Sequence, residues 1–157
     1  MLVGATEKGL CYLEFMDEDI DDPHIEILLR YFGKNIGRGK NSFISETERQ
    51  LSDYFSGKRR TFAVPLDVRG TAFQTAVWNA LLTIPYGETR SYKQQAEAIG
   101  RPQAVRAVAR ANGDNRISII IPCHRVIGSD GTLIGYGGGL WRKQHLLDLE
   151  AKGLPGE

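Results

Sequence analysis

The sequence has few of the residues on which disulfide-stabilised and zinc-binding proteins depend. Among 157 residues it has two cysteines, Cys11 and Cys123, and three histidines. Two cysteines provide neither a disulfide framework nor a four-ligand zinc site. No apolar stretch reaches membrane-spanning length, and the N-terminus lacks the basic-then-apolar pattern of a signal peptide. We therefore expect a cytoplasmic globular protein that binds no metal and no membrane.

The sequence also has little net charge, +1 at pH 7, which by itself favours no class of partner. The charges are unevenly distributed, however. Residues 90–143 contain nine basic and three acidic residues, a balance of +6, whereas residues 1–89 have a balance of −3. A basic segment in a near-neutral chain is typical of proteins that bind the phosphate backbone of nucleic acids. Charged surfaces are common, so the pattern only supports that interpretation.

The apolar run Ile117–Ile121 is followed by Pro-Cys-His-Arg-Val at residues 122–126. The run predicts a fully buried strand, and the proline would end it with Cys123 at the edge of a cleft. A thiol becomes nucleophilic when a nearby base or positive charge lowers its pKa, and His124 is the adjacent candidate. The alternative is an inert core cysteine, because unpaired cysteine is among the most buried residue types.

The first half of the chain alternates short strand and helix signals. They predict a β-hairpin, an acidic loop, a helix opened by proline, a second helix with a capping box, and a further strand. In chain order these are Leu2–Thr6 with Leu10–Phe15, Asp17–Asp22, Pro23 onward, Ser45 with Glu48, and Thr61–Val68.

The second half carries two further capping boxes, Thr71 with Gln74 and Ser91 with Gln94, each of which predicts the start of a helix. Another helix is predicted from Pro102 to about Asn112. Two short helices joined by a tight turn and followed by strands are the outline of a winged helix-turn-helix. Helical hairpins without any nucleic-acid role have the same outline.

The helix predicted from Pro102 carries an unusually small face. Its core-facing stripe is expected to be Val105, Val108 and Ala109, and its smooth outer stripe Ala104, Ala107 and Ala111. Arg106 and Arg110 project together beside the alanines. Such a face suits close approach to the DNA minor groove with an inserted arginine. Alanine is also simply the best helix former, which is the alternative explanation.

Glu150 shares the apolar face of the last predicted helix, residues 140–152. A carboxylate turned toward a core needs a hydrogen-bonding partner or it takes up a proton. His124 is the expected partner, which would give an acid that orients a base beside a thiol. The alternatives are pairing with Arg142 or Lys143, or simple solvation.

Together, the Pro-Cys-His-Arg-Val motif, the helix-turn-helix and Gly-Tyr-Gly-Gly-Gly at residues 135–139 closely resemble the methylated-DNA–protein-cysteine methyltransferases. These are the O6-alkylguanine-DNA alkyltransferases. The similarity covers roughly Pro65–Ala151, and Arg-Gly-Thr-Ala-Phe-Gln at residues 69–74 is most like the C-terminal repair domain of bacterial Ada-type proteins. The resemblance implies an α/β (α+β) fold, with a small RNase H-like N-terminal lid domain (residues 1–64) and a winged helix-turn-helix catalytic domain (residues 65–157).

The resemblance also implies a function, which is direct reversal of DNA damage. The alkyl group of O6-alkylguanine, with O4-alkylthymine as a further candidate substrate, would pass irreversibly to Cys123 after base flipping. The expected partner is double-stranded DNA, contacted by a monomer through the minor groove, and no cofactor is expected.

Roles implied by the resemblance can be assigned to individual residues. Cys123 is the expected acceptor, His124 (through a water) and Glu150 the relay that makes it a thiolate, and Asn115 the brace of the preceding turn. The residues expected to contact DNA or the guanine are Tyr92 at the target phosphate and ring, Arg106 as the finger that replaces the flipped base, Val126 through its carbonyl, and Tyr136 and Gly137 in the pocket loop.

The glycines of this pocket loop suggest a hypothesis about substrate range. Gly137 stands where some relatives carry serine, and the conformational freedom of glycine would let the loop admit larger alkyl groups. Three other functions remain open on the sequence: a non-catalytic protein that only recognises the lesion, a sequence-specific regulator, and an unrelated cysteine hydrolase.

Overall fold

A computed structural model of the chain describes residues 1–16, 22–34 and 36–152, with the backbone alone for residues 22–25. The acidic loop predicted at residues 17–22 lies outside the described residues, apart from Asp22. Within the described residues, the strands and α-helices are β1 Leu2–Ala5, β2 Leu10–Glu14, α1 Asp22–Phe32, α2 Ser42–Phe55, α3 Ala72–Leu81, β3 Arg90–Ser91, α4 Tyr92–Ala98, α5 Val105–Gly113, β4 Val126–Ile127 and α6 Leu140–Ala151.

The predicted hairpin is confirmed, since β1 and β2 pair antiparallel. The capping box predicted at Ser45 and Glu48 is wrong, because α2 begins three residues earlier. Its N-cap is Asn41, whose side chain accepts a hydrogen bond from the Ile44 amide at 2.9 Å. Asparagine is as effective an N-cap as serine, so Asn41 can start the helix four residues before Ser45.

The strand predicted over Thr61–Val68 is also wrong. The segment forms a single parallel bridge between Leu66 and Leu10. Pro65 has no amide hydrogen to donate, although its carbonyl accepts a bond from the Leu10 amide at 2.8 Å. The segment is therefore an irregular connection across the N-terminal hairpin.

Both capping boxes of the second half are confirmed, at the starts of α3 and α4. The next helix, α5, begins at Val105 instead of Pro102, with Ala104 as its N-cap. The α4 and α5 helices pack against each other and against α3 as a helix-turn-helix. The helix face was predicted partly wrongly: Ala111 is buried and Ala109 is exposed.

The run Ile117–Ile121 is buried as predicted, but it is not a strand. Ile117 forms one bridge with Leu13, and the following residues are turns, with Ile119 at a φ of 71°. That conformation is rare for a β-branched residue, and burial and the surrounding hydrogen bonds hold it. An apolar run reports burial and leaves the backbone conformation undetermined.

One apolar core extends through both halves of the chain. Its buried members include Leu13 and Tyr54 from the first half and Val77, Ile121 and Leu146 from the second. A smaller cluster of Cys11, Tyr12 and Leu28 lies beneath α1. Among the described helices, none combines the length and apolarity needed to cross a bilayer.

Candidate active site

Cys123 opens a turn of 3₁₀-helix, residues 123–125, directly after the buried segment 117–121. Its side chain is buried. The Asn115 side chain braces this region: Nδ2 donates to the Cys123 Sγ at 3.2 Å and to the Ile121 carbonyl at 2.9 Å, and Oδ1 accepts from the Ile117 amide at 3.0 Å. The backbone turn and the thiol are therefore positioned by one amide side chain.

The free thiol is protonated at neutral pH. Burial raises the pKa of Cys123 to about 11, the hydrogen bond from Asn115 lowers it, the charge of Glu14 raises it and that of Lys143 lowers it. Burial dominates because a thiolate loses most of its hydration there. Its conversion to a thiolate thus requires a base or a change of surroundings when substrate binds.

Lys143 is an ionisable group of the site that the sequence analysis did not identify. It lies on α6 and is fully buried, and its Nζ donates to the Ile134 carbonyl at 2.9 Å. Burial lowers its pKa to about 8, and a negative charge on Cys123 raises it. A protonated Lys143 would therefore stabilise the thiolate. Its position three residues before the buried Leu146 on α6 was the available signal.

Glu150 is the centre of a buried hydrogen-bond network. Its Oε1 contacts His124 Nε2 at 2.9 Å and accepts from the Tyr54 hydroxyl at 2.7 Å and from Arg125 at 2.9 Å. Its Oε2 accepts from Arg125 Nε at 2.9 Å and from the Gly87 amide at 3.1 Å. The expected contact with His124 is present, and Arg125, Tyr54 and Gly87 are partners that the sequence did not predict.

The charge state of Glu150 fixes the tautomer of His124. Burial alone would raise the pKa of this carboxyl, but hydrogen bonds from His124 and Arg125 outweigh it and lower the pKa to about 2. For His124, burial lowers the pKa, so its ring is neutral at pH 7. Since an ionised carboxylate only accepts, Nε2 carries the hydrogen. The other nitrogen, Nδ1, keeps a free lone pair and makes no hydrogen bond with any described residue.

The alternative partners considered for Glu150 have other contacts. Arg142 donates to the Gly138 carbonyl at 2.9 Å, and Lys143 donates to Ile134 and to Gly135. Neither pairs with Glu150.

A second carboxyl, Glu14 at the end of β2, approaches the site from the first half of the chain. It is buried and accepts a hydrogen bond from the Ser118 hydroxyl at 2.9 Å. Burial raises its pKa to about 7, against smaller opposing effects of Ser118 and Arg116. Glu14 also raises the pKa of Cys123, as noted above. No pattern in the sequence connected Glu14 with Cys123.

The pocket loop, residues 134–139, lies between α4 and α6. The Tyr92 hydroxyl donates to the Ile134 carbonyl at 2.9 Å, so this candidate substrate contact is occupied within the free protein. Tyr92 and Tyr136 pack against the core cluster that contains Cys123, and burial and the charge of Cys123 both raise the pKa of each phenol. Gly137 is exposed with open space around its Cα, and serine would fit there.

The remaining candidates are Val126, whose amide donates a hydrogen bond to the Cys123 carbonyl, and Arg106. Val126 is fully buried in β4, which pairs in parallel with β3 through Arg90. Arg106 and Arg110 are exposed on the outer side of α5, with Ala107 beside them. The structure thus brings Cys123 together with its ionisable and phenolic neighbours, and leaves Arg106 on an outer basic surface.

Comparison with known proteins matches the two halves of the chain to two domains of one protein family. The family described as 6-O-methylguanine DNA methyltransferase, DNA binding domain, matches residues 72–152, and its ribonuclease-like domain matches residues 1–68. A methylated-DNA–protein-cysteine methyltransferase of Methanosarcina barkeri is 49% identical over 98% of this chain and 92% of its own length. The counterpart from Mycobacterium tuberculosis strain H37Rv is 60% identical over 69% of this chain and 66% of its own length.

The fold comparison agrees with the sequence comparison. The crystal structure of Mycobacterium tuberculosis OGT in complex with DNA has a TM-score of 0.82 and 44% identity to this chain. The alignment covers 98% of this chain and 88% of that one.

Proposed function

Since the chain belongs to the 6-O-methylguanine DNA methyltransferase family, we propose that it repairs DNA by moving an alkyl group from guanine O6 to its own Cys123. The family resemblance and the fold class predicted from the sequence are both confirmed by these matches. The observation that carries the assignment to Cys123 is its position: a buried thiol, hydrogen-bonded to Asn115 and adjacent in the chain to the His124–Glu150 pair.

The chemistry is a single displacement. The bond between the alkyl carbon and O6 breaks as the bond between that carbon and the Cys123 Sγ forms. The thiol loses its proton, and the released guanine takes up one proton and leaves neutral. His124 Nδ1 is the basic atom available to move that proton through a water, and its neutral form is restored when guanine is protonated. The thioether is stable, so each protein molecule reacts once.

Thiolate formation coincides with substrate binding in this proposal. The thiol is protonated in the free protein because burial dominates its pKa, while Lys143 and Asn115 are placed to stabilise the anion. Tyr92 would exchange its bond with the Ile134 carbonyl for a contact with the flipped guanine. Tyr136, Gly137 and the Val126 carbonyl would complete the guanine pocket.

Double-stranded DNA is the partner, and α5 is the proposed contact with the minor groove. The exposed Arg106 and Arg110 flank the small side chain of Ala107, which permits close approach of the helix to the groove. We propose Arg106 as the side chain that fills the space left by the flipped base. Phosphate contacts by such a surface weaken as salt concentration rises.

Two further assignments complete the proposal. We infer a boundary between the lid domain (1–64) and the catalytic domain (65–157), although one core extends through both. We also place the protein in the cytoplasm, because both cysteines are free thiols and disulfides form in oxidising compartments. We propose that it acts as a monomer, as the family resemblance implies.

The deciding experiment mixes the protein with a slight excess of duplex carrying one O6-methylguanine, followed by intact and peptide mass measurement. We expect one methyl group on the Cys123 peptide, one per protein molecule, with no turnover. Cys123→Ala is the matched control and should bind the duplex without being modified. Tight binding by the wild-type protein with Cys123 unmodified would instead establish a lesion-recognition protein.

A further inference from the structure

We propose that Phe15, at the end of the N-terminal hairpin, limits the size of the alkyl group by holding the pocket loop in place. This inference rests on the proposed alkyl transfer to Cys123 and adds a specificity-determining residue to it. Phe15 lies in the lid domain, more than a hundred residues before the loop that it contacts.

The contact between Phe15 and the loop is direct. The rings of Phe15 and Tyr136 meet edge to face, with 6.2 Å between centroids and 62° between planes. Gly138 is buried, and a Cβ added there would lie 2.7 Å from the Phe15 Cδ2. The phenyl ring is thus packed against the loop backbone at a distance that only glycine permits.

Arg142 contacts both the Phe15 ring and the same part of the loop. Its guanidinium carbon lies 5.0 Å from the centre of the Phe15 ring and 4.5 Å from that of Trp141, both within cation–π range. Its Nη1 donates to the Gly138 carbonyl at 2.9 Å. Phe15 and Arg142 therefore both contact the loop at Gly138, and Trp141 packs on Arg142; we call these three residues the Phe15 clamp.

The clamp is fixed relative to the segment that precedes the thiol. The Leu13 amide donates to the Arg116 carbonyl, and the Ser118 amide donates to the Leu13 carbonyl, each at 2.8 Å. Glu14 accepts from the Ser118 hydroxyl. Because these bonds join residues 13–14 to residues 116–118, they restrain the backbone next to Phe15 relative to the turn that leads to Cys123.

The consequence concerns the space available to the substrate. In this proposal a bulky alkyl group on Cys123 requires the loop backbone to move, and the Phe15 ring, packed against Gly138 and Tyr136, opposes that movement. The conformational freedom of the loop glycines is therefore restrained at Gly138. Removing the ring should let the loop retreat and should favour large alkyl groups over methyl.

The test compares rate constants for two duplexes that differ only in the lesion, O6-methylguanine or O6-benzylguanine. Phe15→Ala should raise the benzyl-to-methyl rate ratio by about tenfold, a size typical of discrimination by an apolar pocket. Phe15→Leu, which keeps an apolar side chain, should give an intermediate ratio and guards against poor folding of the alanine variant.

Phe32→Ala is the matched control. Phe32 is also a partly buried phenylalanine of the first half with an arginine over its ring, Arg69 at 4.6 Å, but it packs on the smaller core cluster. Its ratio should equal that of the wild type. A Phe15 variant with an unchanged or lower ratio, including equal losses on both duplexes, would overturn the inference. A wild-type protein whose Cys123 stays unmodified by either duplex would overturn the proposed function itself.

Discussion

Glu14→Gln should stabilise the protein relative to the wild type at alkaline pH, but not in acid. Glu14 is buried, with a pKa raised from 4.5 to about 7 mainly by burial. When the pKa of a carboxyl is higher in the folded than in the unfolded protein, its stabilising contribution to folding is fully present below the unfolded-state pKa. That contribution is lost as the pH rises through the folded-state pKa. Wild-type stability should therefore fall, relative to that of the variant, between about pH 4.5 and pH 7.

The magnitude follows from the pKa difference. At about 1.4 kcal/mol for each pH unit, a rise from 4.5 to about 7 corresponds to roughly 3 kcal/mol by pH 8. Glutamine retains an oxygen that can accept the Ser118 hydrogen bond and changes the charge. Any destabilisation caused by burying the glutamine amide does not depend on pH. It therefore cancels when the stability difference between variant and wild type at one pH is subtracted from that at another.

The assay is urea unfolding of both proteins at pH 5 and pH 8. We expect Glu14→Gln to gain roughly 2.5 kcal/mol relative to the wild type between the two conditions, because a part of the effect is already present at pH 5. Glu48→Gln removes a carboxylate from the exposed side of α2 and should show almost no change, because exposed charges contribute little. If the unfolding free energy of Glu14→Gln differs from that of the wild type by the same amount at pH 5 and pH 8, the reasoning is refuted.

Three further substitutions test the site. Glu150→Gln should destabilise the protein at pH 7 by about 3–5 kcal/mol, because it leaves Arg125 without its buried counter-charge; a loss below about 1 kcal/mol in urea unfolding would contradict this. Asn115→Ala should raise the pKa of Cys123 by removing a hydrogen bond to Sγ, measured by thiolate absorbance against pH, and a lowered pKa would exclude the assigned contact. Arg106→Ala should react normally with free O6-benzylguanine but slowly with duplex DNA; equal losses on both substrates would argue against a finger role.

Signals contained within a few residues predicted the structure well. The capping boxes at Thr71 and Ser91 are present as predicted, because each depends on side-chain bonds to a backbone three residues away. The contact between Glu150 and His124 was also foreseeable, since a carboxylate on an apolar helix face needs a partner. In these cases the local chemistry leaves few alternatives.

Predictions failed where a distant part of the chain decides the conformation. Ile117–Ile121 has the composition of a strand, but bonds to the Asn115 side chain and to Leu13 fold it into turns. The burial predicted for Ala109 and Ala111 was reversed, because the packing of α5 against its neighbours decides which small residue faces inward. The approach of Glu14 to Ser118 joins residues 104 positions apart, and no periodicity in the sequence encodes it.

The arrangement around Cys123 follows from the combination of these local and distant contacts. Burial keeps the thiol protonated. Under the proposed function each molecule uses this thiol only once, so a protonated resting state would conserve it until substrate binds. Glu14 strengthens this protection from the first half of the chain, whereas Asn115 and Lys143 oppose it from the second. Tyr54 meanwhile joins the first half to Glu150, whose ionised form keeps His124 in the tautomer that can accept a proton. The N-terminal half therefore affects the ionisation of Cys123 through Glu14 and contacts the Glu150 network through Tyr54.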